Sequence, residues 1–156
     1  MAPVAELLAL AERHDAWLVL DDAHGIGVLG EGRGSLAHFG LRSPRVLTMA
    51  TLGKALGGYG AFVAGDATAI AWLMQRARTY VFSTALPPAA AAVAAEALRL
   101  VDEHPALVAT LHERIGEFRR ACARHGIATA SSTAIQPVIV GDAARALALS
   151  ARLREL

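Results

Sequence analysis

Two short, almost wholly apolar runs, Trp17-Leu18-Val19-Leu20 and Val46-Leu47-Thr48-Met49-Ala50, each lead at once into a polar loop rich in glycine. Short continuous apolar runs fit strands covered on both faces. The first leads into Asp21-Asp22-Ala23-His24 and on through Gly34, the second into Thr51 to Gly58. Leucines at helical spacing over residues 4–14 predict a helix ending near His14-Asp15. A third strand fits residues 60–64, with a helix over 66–78 after it. Pro87-Pro88 opens an alanine-rich helix to about Glu103, and Pro105 opens another to about His125, closed by Gly126. Residues 135–140 read as a strand, and Gly141-Asp142 leads into a final helix. Helices alternating with apolar strands predict an α/β protein with a mainly parallel sheet. Such sheets place ligands outside the C-terminal ends of their strands, and both polar loops leave from that edge.

The second loop carries Lys54, the only lysine; the other 14 of the 15 basic residues are arginine. An arginine cannot become a neutral nucleophile, whereas a lysine can. Chance competes with that reading, since a lone lysine has to sit somewhere.

The rest of the composition narrows the class of protein. A chain of 156 residues, 54% apolar and 19% charged, is globular and long enough for a buried core. A net charge of +1 argues against nucleic-acid and anionic-membrane partners. The densest basic cluster, Arg119, Arg120 and Arg124, lies among Glu117 and His125 at the spacing of a solvated helix face. Cys122 stands alone, so no internal disulfide is expected, and with no visible signal peptide the expected location is cytoplasmic. The most apolar stretch, residues 85–98, is broken by Pro87-Pro88 and Glu96 and is too short to span a bilayer.

Three familiar patterns fit incompletely. Gly25-Ile26-Gly27-Val28-Leu29-Gly30 matches G-x-G-x-x-G, but Glu31-Gly32-Arg33-Gly34 stands where a helix should start, and residues 45–55 hold no acid for a ribose. Gly53-Lys54 sits like the end of a P-loop, yet Thr48 replaces the first glycine and Ala55 the metal-binding hydroxyl. Asp21, Asp22 and His24 lack a second histidine at ligand spacing, and the two aspartates should point to opposite sides of an extended chain, so no metal is expected.

Schiff-base chemistry fits better. Pyridoxal phosphate acts as an electron sink when a buried carboxylate keeps its ring nitrogen protonated, and Asp21 at a core strand's end is suitably placed. His24 lies three residues on, for the ring oxygen or face. Thr51, three residues before Lys54, offers a hydroxyl for the phosphate, and the glycines let backbone pass close by.

Asp21 to Gly30, Arg33-Gly34, Thr51-Leu52-Gly53-Lys54 and Phe82-Ser83-Thr84-Ala85-Leu86-Pro87-Pro88 together resemble the α-oxoamine synthases. These are fold-type-I pyridoxal phosphate enzymes that condense an amino acid with an acyl thioester and release CO₂. Residues 134–142 look most like the member that serves biotin synthesis. The resemblance implies Lys54 as the Schiff-base and proton-moving residue, with Asp21, His24 and Thr51 on the ring nitrogen, ring oxygen and phosphate. It also implies L-alanine and a pimeloyl thioester as substrates and a homodimer, with Ser83 or Thr84 near the partner's phosphate or else capping the next helix. Residues 1–103 would close the cofactor-binding large domain and 104–156 would begin the small domain. Against a complete subunit, the early strands, the ring-stacking residue and the carboxylate-binding arginine would lie outside this chain. Relatives using glycine or serine with other acyl-CoAs, or a non-catalytic remnant, are the alternatives.

Overall fold

The computed structural model describes all residues, Met1 to Leu156, and divides into two compact units, residues 1–111 and 112–156. No helix is long and apolar enough to cross a membrane.

In the first unit, helix α1 (Val4–Arg13) buries Val4, Leu8 and Ala11. These positions share one face of a 3.6-residue repeat. Glu6 in the first turn and Arg13 in the last complement the helix dipole. Strands β1 (Leu18–Asp21), β2 (Val46–Thr51) and β3 (Ala61–Ala64) form a three-stranded sheet in the order β1-β2-β3. Between β1 and β2 lie a 3₁₀ turn at Gly30–Gly32 and the short helix α2 (Ser35–His38).

β1 and β2 run parallel, with Leu18 beside Val46 and Asp21 beside Met49. β2 and β3 run antiparallel, from Thr48 beside Ala64 to Thr51 beside Ala61. The sheet is therefore mixed and not mainly parallel. The physical reason is loop length. A parallel return needs a crossover of about a dozen residues or more, and the lysine loop between Thr51 and Ala61 is too short to supply one.

β1 also departs from the expectation of a strand covered on both faces. It has one neighbour only, and its accessibility alternates along the strand. Val19 is 68% exposed and Trp17 47%, so the face carrying Val19 and Asp21 is open. The opposite face is covered, with Val46 and Ala50 of β2 buried.

Helix α3 (Ala67–Arg76) starts at Asp66, whose Oδ1 accepts from the amides of Thr68 at 2.9 Å and Ala69 at 3.2 Å. Asp66→Ala should cost about 1 kcal/mol, the usual value of an N-cap, read as a lower urea midpoint. Ala77 turns to ψ 104°, which ends α3, and its carbonyl then accepts from the amides of Tyr80 and Val81, both at 2.9 Å, to open a separate turn, α4 (Arg78–Val81).

Helix α5 (Pro88–Glu103) begins with proline at its first position, and α6 (Pro105–Arg124) follows directly. Arg99 of α5 is held by Glu96 and Glu103 one turn to either side. Its hydrogen bonds keep the Glu96 carboxyl below the usual carboxylate range. These side chains are exposed and form a surface ion-pair cluster on one helix, not a site. The core of the unit is Leu52, Leu56 and Ala94, flanked by Ile26, Phe62, Ala97 and Val101.

The two units part between Leu111 and His112, inside α6. The first turns of α6 stay with the first unit because Val108 is buried beside Gly32 and Val101.

In the second unit, Gly126 lies two residues past the end of α6, takes φ +68° and closes the last turn with its amide on the Ala123 carbonyl. Helix α7 (Ala143–Arg154) is capped by Asp142, whose carboxylate accepts from the Arg145 amide at 2.8 Å. Residues 135–140 take no regular secondary structure and join no strand ladder. Pro137 has no N–H to offer, Ile139 is 87% exposed, and the unit contains no strand to pair with.

Candidate functional site

Lys54 sits in the loop that joins β2 to β3. The loop is pinned at its base, where the Leu52 amide donates to the Gly60 carbonyl at 2.9 Å and the Gly58 amide to the Leu52 carbonyl at 2.7 Å. Its tip is a turn in which the Gly57 amide donates to the Lys54 carbonyl at 3.0 Å, with Gly57 at φ +62°. Leu52 and Leu56 are buried against α5. Burying a leucine contributes roughly 1.5–3 kcal/mol, so two leucines two residues either side of Lys54 fix the loop while Lys54 faces solvent.

The loop after β1 comes to meet it. Asp22 continues the strand pairing, its amide donating to the Met49 carbonyl at 2.7 Å. Its carbonyl then accepts from the amides of Gly25 at 2.9 Å and Ile26 at 3.1 Å, which turns the chain sharply. His24 is thrown outward from that turn, and its Nε2 stands 2.9 Å from Lys54 Nζ. The two loops touch again at Gly27, where a β-carbon would lie 2.7 Å from that of Ala55. An amine and an imidazole within one hydrogen bond form a proton-transfer pair.

The other two candidates lie on the strands beneath. Asp21 and Thr51 are the last residues of β1 and β2 and fall on the same sheet face as Met49, the residue paired with Asp21. Asp21 Oδ1 accepts from the Ala23 amide at 3.0 Å. Its carboxylate is exposed, contrary to the expectation of a buried one, because the open face of β1 has nothing over it. The Thr51 hydroxyl oxygen is buried and has no hydrogen-bond partner. A buried hydroxyl left unpaired costs about 1–3 kcal/mol, which marks Thr51 as a donor waiting for an acceptor. On the same face an apolar groove of about 450 Å³ runs between Met49, Ala61, Val63, Leu73, Met74 and Tyr80.

The glycine-rich run after His24 has a different explanation from the dinucleotide pattern it matches. No helix starts at Gly30; the chain instead makes a 3₁₀ turn with Glu31 at φ +58°. What the glycines surround is the carboxylate of Asp22, which is 4% exposed. A β-carbon on Gly25 would lie 1.9 Å from Asp22 Oδ1, and one on Gly34 2.3 Å from Oδ2. In the sequence Asp22 stands out only as a candidate metal ligand. The signal that could have found it is the pair of glycines three and twelve residues downstream. Arg33 ties the far end of the same loop to α5, its Nη2 donating to Asp102 Oδ1 at 2.7 Å.

Ser83 does not cap α5. Its hydroxyl donates to the Thr79 carbonyl at 2.5 Å, and Pro87 precedes the helix without a side-chain cap.

A mixed α/β fragment with an amine–imidazole pair at the C-terminal ends of its parallel strands is part of the fold-type-I architecture. The chain matches the family described as aminotransferase class I and II over residues 1–156, and it belongs to that family. Within the family it is similar to the 8-amino-7-oxononanoate synthase of Dechloromonas aromatica (strain RCB), 55% identical over 158 residues that cover 99% of this chain and 41% of that protein. The crystal structure of 8-amino-7-oxononanoate synthase from Francisella tularensis matches with a TM-score of 0.80 and 30% identity, over 96% of this chain and 46% of that one. Serine palmitoyltransferase from S. paucimobilis, with a bound PLP–myriocin aldimine, matches with a TM-score of 0.77 and 28% identity, over 94% of this chain and 39% of that one. The chain thus spans about two fifths of the length of the curated relative it matches.

Proposed function

We propose that this chain is the lysine-bearing portion of a pyridoxal phosphate acyltransferase of the 8-amino-7-oxononanoate synthase type. The whole protein would condense L-alanine with a pimeloyl thioester and release CO₂. The observation that carries the reading is the 2.9 Å approach of Lys54 Nζ to His24 Nε2 at the ligand-binding edge of the sheet. The similarity to the Dechloromonas aromatica synthase supports the choice of substrates. Residues 1–103 would complete the large domain and 104–156 begin the small one, and the protein would act as a homodimer in the cytoplasm.

The residues present fit the cofactor. Thr51 offers a buried hydroxyl with no partner, which a phosphate oxygen would satisfy. Lys54 is the only amine among the side chains, and His24 stands beside it to hold the ring oxygen. Asp21, at the end of β1, would pair with the ring nitrogen, and cover over the open face of β1 would strengthen that pairing by excluding water. When bound, pyridoxal phosphate supplies an electron sink for carbanion chemistry at the amino-acid Cα. Lys54, as the neutral amine, takes the proton from Cα of alanine and returns one to the product carbon. His24 keeps that amine in place between the two transfers.

Thr51→Val separates the two consequences of the orphaned hydroxyl. The free chain should gain about 1 kcal/mol by losing an unsatisfied polar group. Retention of pyridoxal phosphate on dialysis should fall about tenfold, the value of one hydrogen bond to a charged acceptor. A variant that is less stable and binds equally well would contradict the role.

The function itself is tested in a chimera in which residues 1–156 replace the matching segment of the Dechloromonas aromatica synthase. CO₂ release from alanine with a pimeloyl thioester is expected, well above that from glycine with acetyl-CoA. The reverse preference would reassign the chain to another α-oxoamine synthase. A folded chimera that loads pyridoxal phosphate and turns over neither pair would favour a non-catalytic remnant.

A further inference from the structure

The buried carboxylate of Asp22 is the feature that the proposed chemistry leaves unused. It is 4% exposed and carries no cationic partner, yet both oxygens are engaged. Oδ2 accepts from the Ser35 amide at 2.8 Å, and Oδ1 accepts from the Ser35 hydroxyl at 2.5 Å. Those bonds join the residue just after β1 to the residue that opens α2, thirteen positions on. The loop between them therefore closes on itself, with the carboxylate at its centre. Gly25 and Gly34 line that centre and have no room for a β-carbon. Gly34 additionally holds φ +92°, a conformation that L side chains rarely adopt.

A buried charge is costly to desolvate unless hydrogen bonds compensate it. A fold that surrounds one with glycines and a doubly donating serine uses it to fix geometry. What the closed loop presents to solvent is His24, on the turn whose carbonyl anchor is Asp22 itself. The geometry points to Asp22 as a positioning residue: through Ser35 it clamps the 22–35 loop so that His24 Nε2 meets Lys54 Nζ. Asp22 touches neither amine nor imidazole and acts only through the loop. Its importance for catalysis rests on the reading of Lys54 and His24 given above, but its effect on geometry does not depend on any added compound.

The test is a through-space NMR cross-peak between the His24 ring and the Lys54 ε-methylene, recorded on the chain without cofactor. The parent should show it, and Asp22→Ala should lose it while cross-strand peaks between Leu20 and Thr48 persist. Asp22→Asn keeps an oxygen for the Ser35 amide and an N–H for its hydroxyl, so it should restore the cross-peak. A cross-peak that survives in Asp22→Ala with the sheet intact, or that is lost equally in Asp22→Asn, would overturn the assignment. Should Asp22→Ala fail to fold, Ser35→Ala decides: a weakened cross-peak with an intact sheet supports the clamp, and an unchanged one refutes it. Because no cofactor is added, failure here is separate from failure of Lys54 to take up pyridoxal phosphate.

Discussion

Lys54→Ala in the chimera is expected to reduce CO₂ release by roughly 10³-fold or more, since general acid–base transfer alone contributes about 10²–10⁴-fold and the covalent role is lost with it. Lys54→Arg should be no better. It keeps the positive charge beside His24, but a guanidinium stays protonated in proteins and can neither attack a carbonyl nor accept the Cα proton. The comparison therefore separates chemistry from electrostatics. If Lys54 served only as a counter-charge for a phosphate, the arginine variant would retain most of the activity and the alanine variant would lose affinity, with the rate at saturation unchanged. Residues 1–156 contribute no second lysine that could substitute.

The largest effects on stability are expected at Gly25 and Gly34. An added β-carbon would fall 1.9 Å from Asp22 Oδ1 in the first case and 2.3 Å from Oδ2 in the second. Neither oxygen can retreat without giving up a bond to Ser35. Overpacking costs about 1–3 kcal/mol, and a broken hydrogen bond to a buried charge adds about 1.5–3 kcal/mol. Each alanine substitution should therefore destabilise by on the order of 3 kcal/mol, a fall in Tm of about 10 °C for a chain of this size. Gly34→Ala should be the worse fold for fold of clash, because φ +92° adds backbone strain. Gly53→Ala is the control: the nearest atom to its β-carbon is the Gly58 carbonyl oxygen at 3.5 Å, ordinary contact, and φ is not positive there. Equal melting of Gly25→Ala and Gly53→Ala would mean that the loop is not built around Asp22. Combining Gly25→Ala with Asp22→Ala should cost less than the sum of the two, since the second change removes what the first collides with.

Much of the site was legible in the sequence because its residues follow strands. The apolar runs ending at Leu20 and Ala50 place Asp21 and Thr51 at strand ends, and a lone lysine among arginines singles out position 54. The helices starting at Pro88 and Pro105 were equally readable, since proline is favoured in a first turn and disfavoured later. What escaped depends on contacts that no local pattern encodes. The antiparallel turn of β3 follows from a loop too short for a crossover, a constraint that hydrophobic pattern alone does not express. The exposure of Asp21 and Val19 follows from the position of β1 at the sheet edge. Residues 135–140 have strand composition but no ladder to join. Asp22 was hidden by its neighbour: adjacent aspartates look equivalent in sequence, and only the packing shows one carboxylate open and the other enclosed.

The central claim is that Lys54 is a carbonyl-reactive amine held in a built site. Incubating the chain with pyridoxal phosphate, reducing with borohydride and mapping the product by peptide mass tests it directly, because Nζ of Lys54 and the Met1 amine are the only primary amines available. A reduced secondary amine on Lys54, formed at low cofactor concentration and absent from Lys54→Ala, is the expected result. Modification confined to Met1, or no modification of a folded chain, would contradict the account.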